Sequence, residues 1–182
     1  MPSVMEAVTS TMQGLLEKDP EQPLHIGEAM ACWTYRGALK EAIVMEQTGL
    51  NTTTDDELKH LLEQAIELCS RQAERLDQFM RKEGVPLPPS SPSRPQSDPS
   101  AVPLGVKASD MEIANALATK VSSAIIACAT AAAASVRNDV ALMWTEFQAE
   151  QLTYSATLKN TMRKRGWLIM PPAFTPPGVP VD

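Results

Sequence analysis

Seven prolines fall between Gly84 and Lys107 (GVPLPPSSPSRPQSDPSAVPLGVK), and this stretch limits what the chain can fold into more than any other. Proline lacks the backbone N–H and fixes φ, so such a segment is neither helix interior nor central strand. Proline-rich chain runs extended at roughly 3.1 Å per residue, giving this one a reach of about 70 Å. A tight turn between helices needs only a few residues. The two readings left are a crossover running the length of a helical bundle and a disordered linker between domains. Long helical patterns on either side favour the crossover.

The totals agree with a single all-α domain. A chain of 182 residues can bury a real core. Aromatics are only 4%, while Ala, Leu, Met and Val abound, the filling of close-packed helices rather than of a β-sandwich. A net charge of -6 argues against nucleic acid or an anionic membrane surface as a partner. Cys32, Cys69 and Cys128 are far apart and odd in number, which fits neither a zinc motif nor a disulfide framework. No basic run followed by an apolar stretch opens the chain, so a cytoplasmic location is expected. Val121 to Val136 is uncharged but short for a membrane span of about 20 residues. It is expected as a buried bundle helix.

The hydrophobic spacing places the elements. Residues 3–17 predict a short amphipathic helix that docks on the bundle; residues 1–22 are read as this helix and a linker, and 23–182 as the bundle. The first long helix is expected from Leu24 to Gln47, ended by Thr48-Gly49, with Leu24, Glu28, Ala31, Tyr35, Ala38, Ala42 and Met45 on one stripe. Thr54-Asp55-Asp56-Glu57 is a capping-box signal for the second helix, which carries Leu58, Leu61, Leu62, Ala65, Cys69, Leu76, Phe79 and Met80 to Gly84. Ser109-Asp110-Met111-Glu112 repeats the signal for the third, expected to end near Val136-Asn138. The fourth carries Val140, Met143, Phe147, Glu150, Tyr154, Leu158 and Met162 and stops at Gly166. The helix hairpins are thus 24–83 and 109–165, the crossover 84–108, and the proline-rich tail 166–182, expected to lie extended on the bundle.

A faint duplication supports this division. Met80-Arg-Lys-Glu-Gly-Val-Pro-Leu-Pro-Pro ends the second helix and Met162-Arg-Lys-Arg-Gly-Trp-Leu-Ile-Met-Pro-Pro the fourth. Ile26-Gly-Glu-Ala-Met-Ala is echoed by Ile113-Ala-Asn-Ala-Leu-Ala. The halves read as two copies of a helix hairpin joined by the crossover, the plan of a ferritin-like four-helix bundle.

That plan raises the question of a metal centre. Di-iron carboxylate bundles use inward carboxylates from two helices and Glu-x-x-His from the other two. Glu57-Leu-Lys-His60 has the spacing, and Glu28, Glu150 and His25 are further donors. Heights decide against combining them. Glu28 stands about 24 residues before the hairpin turn and His60 about 8 after it, a separation of roughly 24 Å at 1.5 Å per residue. Asn115 replaces Glu28 in the second half, and both histidines lie in the first. Glu57 and His60 read as a charged helix start, and His25 with Glu28 as a hydrogen-bonded or ionic pair near a helix end. Glu150, beside Tyr154, needs a buried polar partner. Cys32 reads as inert buried cysteine. The metal alternative that survives is a mononuclear site of His25, Glu28 and Asp139. No cofactor is otherwise expected, and no phosphate-binding or hydrolase motif occurs.

Five stretches in order carry a resemblance: Leu24 to Tyr35 (LHIGEAMACWTY), Gly84 to Pro89 (GVPLPP), Asp110 to Asn115 (DMEIAN), Arg165 to Pro172 (RGWLIMPP) and Pro176 to Gly178 (PPG). Over residues 22–180 the chain resembles an uncharacterised ferritin-like family of Bacillus-type bacteria, sometimes labelled spore-coat-like. The resemblance implies a four-helix bundle and a link to sporulation, and no catalytic residues. The functional expectation is a non-enzymatic structural or interaction protein, spore-associated, binding a protein partner or forming a homodimer. The alternative is a mononuclear or degenerate metal-binding protein.

Overall fold

A computed structural model describes residues 3–16, 22–172 and 174. Five α-helices follow one another: α1 (Val4–Leu15), α2 (Ile26–Leu50), α3 (Asp56–Lys82), α4 (Asp110–Ala134) and α5 (Asn138–Lys164), with one 3-10 turn at Pro99–Ala101. The fold is all-α. Hairpins α2–α3 and α4–α5 form the bundle, α2 packs on α4, α3 packs on α5, and α1 lies against α5.

Local chemistry sets the helix ends. The Ser109 side chain accepts from the Glu112 N–H while Glu112 returns a bond to the Ser109 N–H, so the capping box that opens α4 is as expected. At α3 the cap sits one residue later than the expected Thr54: Asp55 accepts from the Leu58 N–H. Helix α2 runs through Thr48-Gly49 to Leu50 and is capped at Asn51, whose N–H donates to the Gln47 carbonyl; within it Thr48 returns its hydroxyl to the Val44 carbonyl. Helix α4 stops earlier than expected, at Ala134.

The duplicated sequence builds a duplicated terminus. Gly84 (φ 73°) and Gly166 (φ 69°) occupy the left-handed region after α3 and α5. The Val85 and Trp167 N–H groups donate to the Met80 and Met162 carbonyls at 2.8 and 2.9 Å. The Gly84 and Gly166 N–H groups donate to Arg81 and Arg163. Both ends are Schellman motifs, and each brings its following apolar residue onto the methionine beneath.

The proline segment is a crossover, laid along the outside of α2. Arg36 donates to the Pro88 carbonyl at 2.8 Å, and Glu41 accepts from Ser91 N–H and hydroxyl. Gln47 accepts from the Arg94 N–H, and Asn51 brackets Pro95 and Ser97. Three α2 side chains and that of its C-cap, Asn51, thus take up backbone groups that proline-rich chain cannot pair with itself. The segment reaches the far end of the bundle, where Asp110 at the start of α4 accepts from Thr53 in the α2–α3 turn. This is why α4 descends beside α2 rather than continuing from α3.

Two apolar clusters divide the core. One gathers Cys32, Tyr35, Leu39, Ile43, Leu76, Met80, Trp144 and Phe147, with the three rings in mutual edge and stacked contact. The other gathers Leu58, Leu61, Leu62, Ile113, Leu117, Val121, Leu158, Met162 and Trp167. On α2 the buried stripe is Glu28, Cys32, Tyr35, Leu39, Ala42, Glu46 and Gly49. Ala38 and Met45, expected inside, face out. Helix α4 also differs from expectation. Among the described helices it alone is long and apolar enough to cross a membrane, yet only one narrow face is buried. Thr119, Ser123, Ile126, Ala127, Thr130 and Ala133 form an exposed, uncharged outer face. The proline-rich tail is described only to Pro172 and at Phe174; Trp167 is buried, whereas Ile169, Met170 and Phe174 are exposed.

Candidate functional site

Between the two apolar clusters the four bundle helices turn polar side chains inward. Helix α3 contributes Cys69 and Gln72, and α5 contributes Gln151 and Tyr154, each an i, i+3 pair. Helix α2 contributes Tyr35 and Glu46, and α4 contributes Lys120. One polar residue or more from two helices, and an i, i+3 pair from each of the others, is the scaffold on which ferritin-like carboxylate proteins hold metal.

The atoms here make a different chemistry. Lys120 Nζ lies 2.6 Å from Glu46 Oε1 and 3.3 Å from Cys69 Sγ. In the next layer Gln72 Oε1 accepts from the Tyr35 hydroxyl at 3.0 Å and from Gln151 Nε2 at 3.0 Å. Gln72 Nε2 donates to the Phe147 carbonyl and to Glu150. Glu150, the residue for which a partner was required, is held also by Arg75. The Tyr154 hydroxyl turns away to the Leu61 carbonyl. An ammonium group and two carboxamides thus stand where a di-metal centre needs carboxylates and imidazoles, and this donor set does not fit one.

Burial and the ion pair shift these groups in a consistent way. Burial raises the Glu46 carboxyl above its ordinary value, against the pull of Lys120. Burial would lower Lys120, but Cys69 and Glu46 beside it hold the amine above its usual value. Desolvation pushes the Cys69 thiol up to about 11 and that of Cys32 up to about 12, so both remain protonated and unreactive at neutral pH. Glu46 Oε2 has no hydrogen-bond partner in the protein.

The sequence-predicted residues His25, Glu28 and Asp139 all reach one end of the bundle, about the α4–α5 turn. His25 caps α2, its Nδ1 accepting from the Gly27 and Glu28 N–H groups at 2.9 and 3.3 Å. Its Nε2 stands 3.8 Å from Glu28 Oε2. Glu28, 3% exposed, accepts from the Val136 and Arg137 N–H groups on Oε1 at 2.8 and 2.9 Å and from the His25 N–H on Oε2 at 3.1 Å. Burial would raise its pKa, but these N–H donors lower it overall. Asp139 pairs with Arg137, which also bridges to Glu83. Glu57 meets Arg165, and His60 meets Gln64. Among the described residues no three His, Cys, Asp or Glu side chains converge as a metal site would require.

Glu46 and Lys120 are the pair that sequence reasoning missed. They line a cavity of about 560 Å³ between α2 and α4, together with Met45, Thr48, Gly49, Thr52, Leu62, Glu112, Ile113, Ala116 and Leu117 and the end of the crossover, Gly105 to Ala108, which brings Lys107. Gly49 permits the close approach, since a Cβ there would meet Leu62 and Ile113 at 3.1–3.3 Å.

The architecture therefore defines a ferritin-like bundle whose centre is an ion pair and an amide network. The chain belongs to the DUF3231 family of proteins of unknown function, whose model matches residues 11–179. It is 31% identical over 160 residues to the uncharacterized protein YvdQ of Bacillus subtilis, covering 87% of this chain and 94% of that one. A crystal structure of a "putative spore coat protein" from Bacillus halodurans matches with a TM-score of 0.83 and 31% identity, covering 85% of this chain and 97% of that one. A two-domain protein of Anabaena variabilis with DJ-1/ThiJ/PfpI-like and ferritin-like domains matches at TM-score 0.62 and 15% identity, over 97% of this chain and 51% of that one. That last likeness bears on the fold alone.

Proposed function

We propose that this protein is a non-enzymatic structural component of the spore that acts by associating with a second copy of itself. The observation that carries the non-enzymatic reading is the replacement of a metal-binding centre by the Lys120–Glu46 pair and the Gln72–Gln151 amides. These groups stabilise a bundle: the amides do not titrate, and the amine of Lys120 is held above its usual value, so neither is an activated nucleophile. The likeness to the Bacillus halodurans protein supports a place in the spore. The exposed, uncharged outer face of α4 supports self-association. From Thr119 to Ala133 this face offers a strip about 21 Å long, and its small side chains permit close packing of two copies about a twofold axis.

Analytical ultracentrifugation tests the assembly. The wild-type chain is expected to sediment as a dimer and Ile126→Lys as a folded monomer; a monomeric wild type overturns the reading. An epitope-tagged copy expressed in sporulating Bacillus subtilis is expected in the purified spore fraction, and its absence there removes the spore assignment. One equivalent of iron, manganese or zinc retained through dialysis, measured by elemental mass spectrometry, returns the metalloprotein alternative at His25, Glu28 and Asp139.

A further inference from the structure

The cavity between α2 and α4 has a lining of mixed character. Much of its wall is apolar, with Leu62, Ile113 and Leu117 at its heart; Thr48, Thr52, Lys107 and Glu112 also line it, and the Glu46–Lys120 pair completes it. The pair is not complete. Glu46 is 4% exposed and its Oε2 has no partner. Lys120 carries three N–H donors, of which one goes to Glu46 Oε1 and one to Cys69 Sγ. A carboxylate oxygen without a partner and an ammonium group with a donor to spare therefore belong to two residues that line the chamber. Leaving such groups dry costs free energy comparable to the hydrogen bonds they lack. At about 560 Å³, the chamber falls within the roughly 300–1,000 Å³ usual for small-molecule sites.

We infer that this cavity binds an uncharged, mainly hydrocarbon molecule ending in a hydroxyl group. The hydroxyl donates to Glu46 Oε2 and accepts from Lys120 Nζ, completing both, while the hydrocarbon lies along Ile113 and Leu117. Charge complementarity selects the neutral head. The charged lining residues, Glu46 with Lys120 and Glu112 with Lys107, already sum to zero, so a carboxylate or ammonium head would bring an uncompensated charge and lose its water. A simple hydrocarbon would fill the chamber and leave both polar atoms unsatisfied. The end of the crossover, Gly105 to Ala108, also lines the cavity.

The site is separate from the outer face of α4 proposed for self-association, so the two readings stand or fall by different measurements. The test is titration of the full chain at neutral pH with 1-octanol, octanoate and octylamine, followed by calorimetry and ligand-observed NMR. Saturable binding of octanol is expected, with octanoate and octylamine at least about tenfold weaker. Ala116→Trp and Ala108→Trp fill the chamber from α4 and from the end of the crossover and should each abolish binding while circular dichroism stays helical; the second serves if the first disturbs the fold. The paired swap Glu46→Leu with Lys120→Met keeps the volume and removes the anchors. It should weaken octanol at least about tenfold, the loss expected for one hydrogen bond to a charged group. Failure of octanol to saturate the wild type overturns the inference. So does undiminished binding by a folded tryptophan variant, by the paired swap, or by octanoate at the affinity of octanol.

Discussion

Glu28 is the most exacting test of how the two hairpins are held together. Its carboxylate takes three backbone N–H groups, two from the α4–α5 turn and one from the start of α2. It ties the start of the first hairpin to the turn of the second. Hydrogen bonds to a charged group are worth about 1.5–3 kcal/mol each, so three set a ceiling of about 9 kcal/mol. Water that enters after truncation re-satisfies part of that, and the cost expected for Glu28→Ala is about 3–5 kcal/mol. Glu28→Gln keeps the oxygen facing Val136 and Arg137 but turns an amide N–H toward the His25 N–H, losing one bond and the charge; about half the cost is expected. Urea denaturation reads both: with a slope near 2 kcal/mol/M, Glu28→Ala should move the midpoint by about 2 M. The pH dependence adds a sign. The native pKa lies below the ordinary 4.5, so the contribution is fully present above that value and is lost as pH falls through the lowered native pKa. The gap between wild type and Glu28→Gln should therefore narrow on acidification below about pH 4.5. A cost under about 1 kcal/mol for Glu28→Ala, or a gap that widens in acid, would refute this account.

Two further outcomes follow from the same reasoning. Lys120→Met alone strands the buried Glu46 carboxylate and should cost about 3–5 kcal/mol by urea denaturation, whereas Glu46→Leu with Lys120→Met should be near neutral or stabilising; equal losses would mean the pair contributes net stability. Gly84→Ala and Gly166→Ala force a side chain into the left-handed region, and each should cost about 1–2 kcal/mol. Because these caps lie at opposite ends of the bundle, calorimetry of the double variant should give the sum within about 0.5 kcal/mol.

The sequence was legible where single residues have strong local consequences, and opaque where the consequence depends on a neighbour. Proline cannot enter a helix, so the crossover was visible in the seven prolines, although its course along Arg36, Glu41, Gln47 and Asn51 was not. Gly84 and Gly166 marked both helix ends because only the left-handed residue tolerates so few alternatives. The stripe on α2 misled because that helix has little contrast: Ala38 and Met45 are apolar and face out, while the charged Glu46 faces in. Nothing local distinguishes Met45 from Glu46 in favour of the acid. The decision is made by Lys120, 74 residues later, whose ammonium makes a buried carboxylate tolerable. A usable signal did exist in the duplication. The offset of 82 residues that aligns Met80 with Met162 and Gly84 with Gly166 also aligns Cys69 with Gln151 and Gln72 with Tyr154. Carried inward from helix ends that lie at opposite ends of the bundle, it brings Cys69 and Gln151 to the middle of α3 and α5, where a purely structural core would hold leucine. The centre of the bundle was therefore encoded as a pair of polar interruptions in two apolar stripes, and its chemistry only by the residues that α2 and α4 bring to meet them.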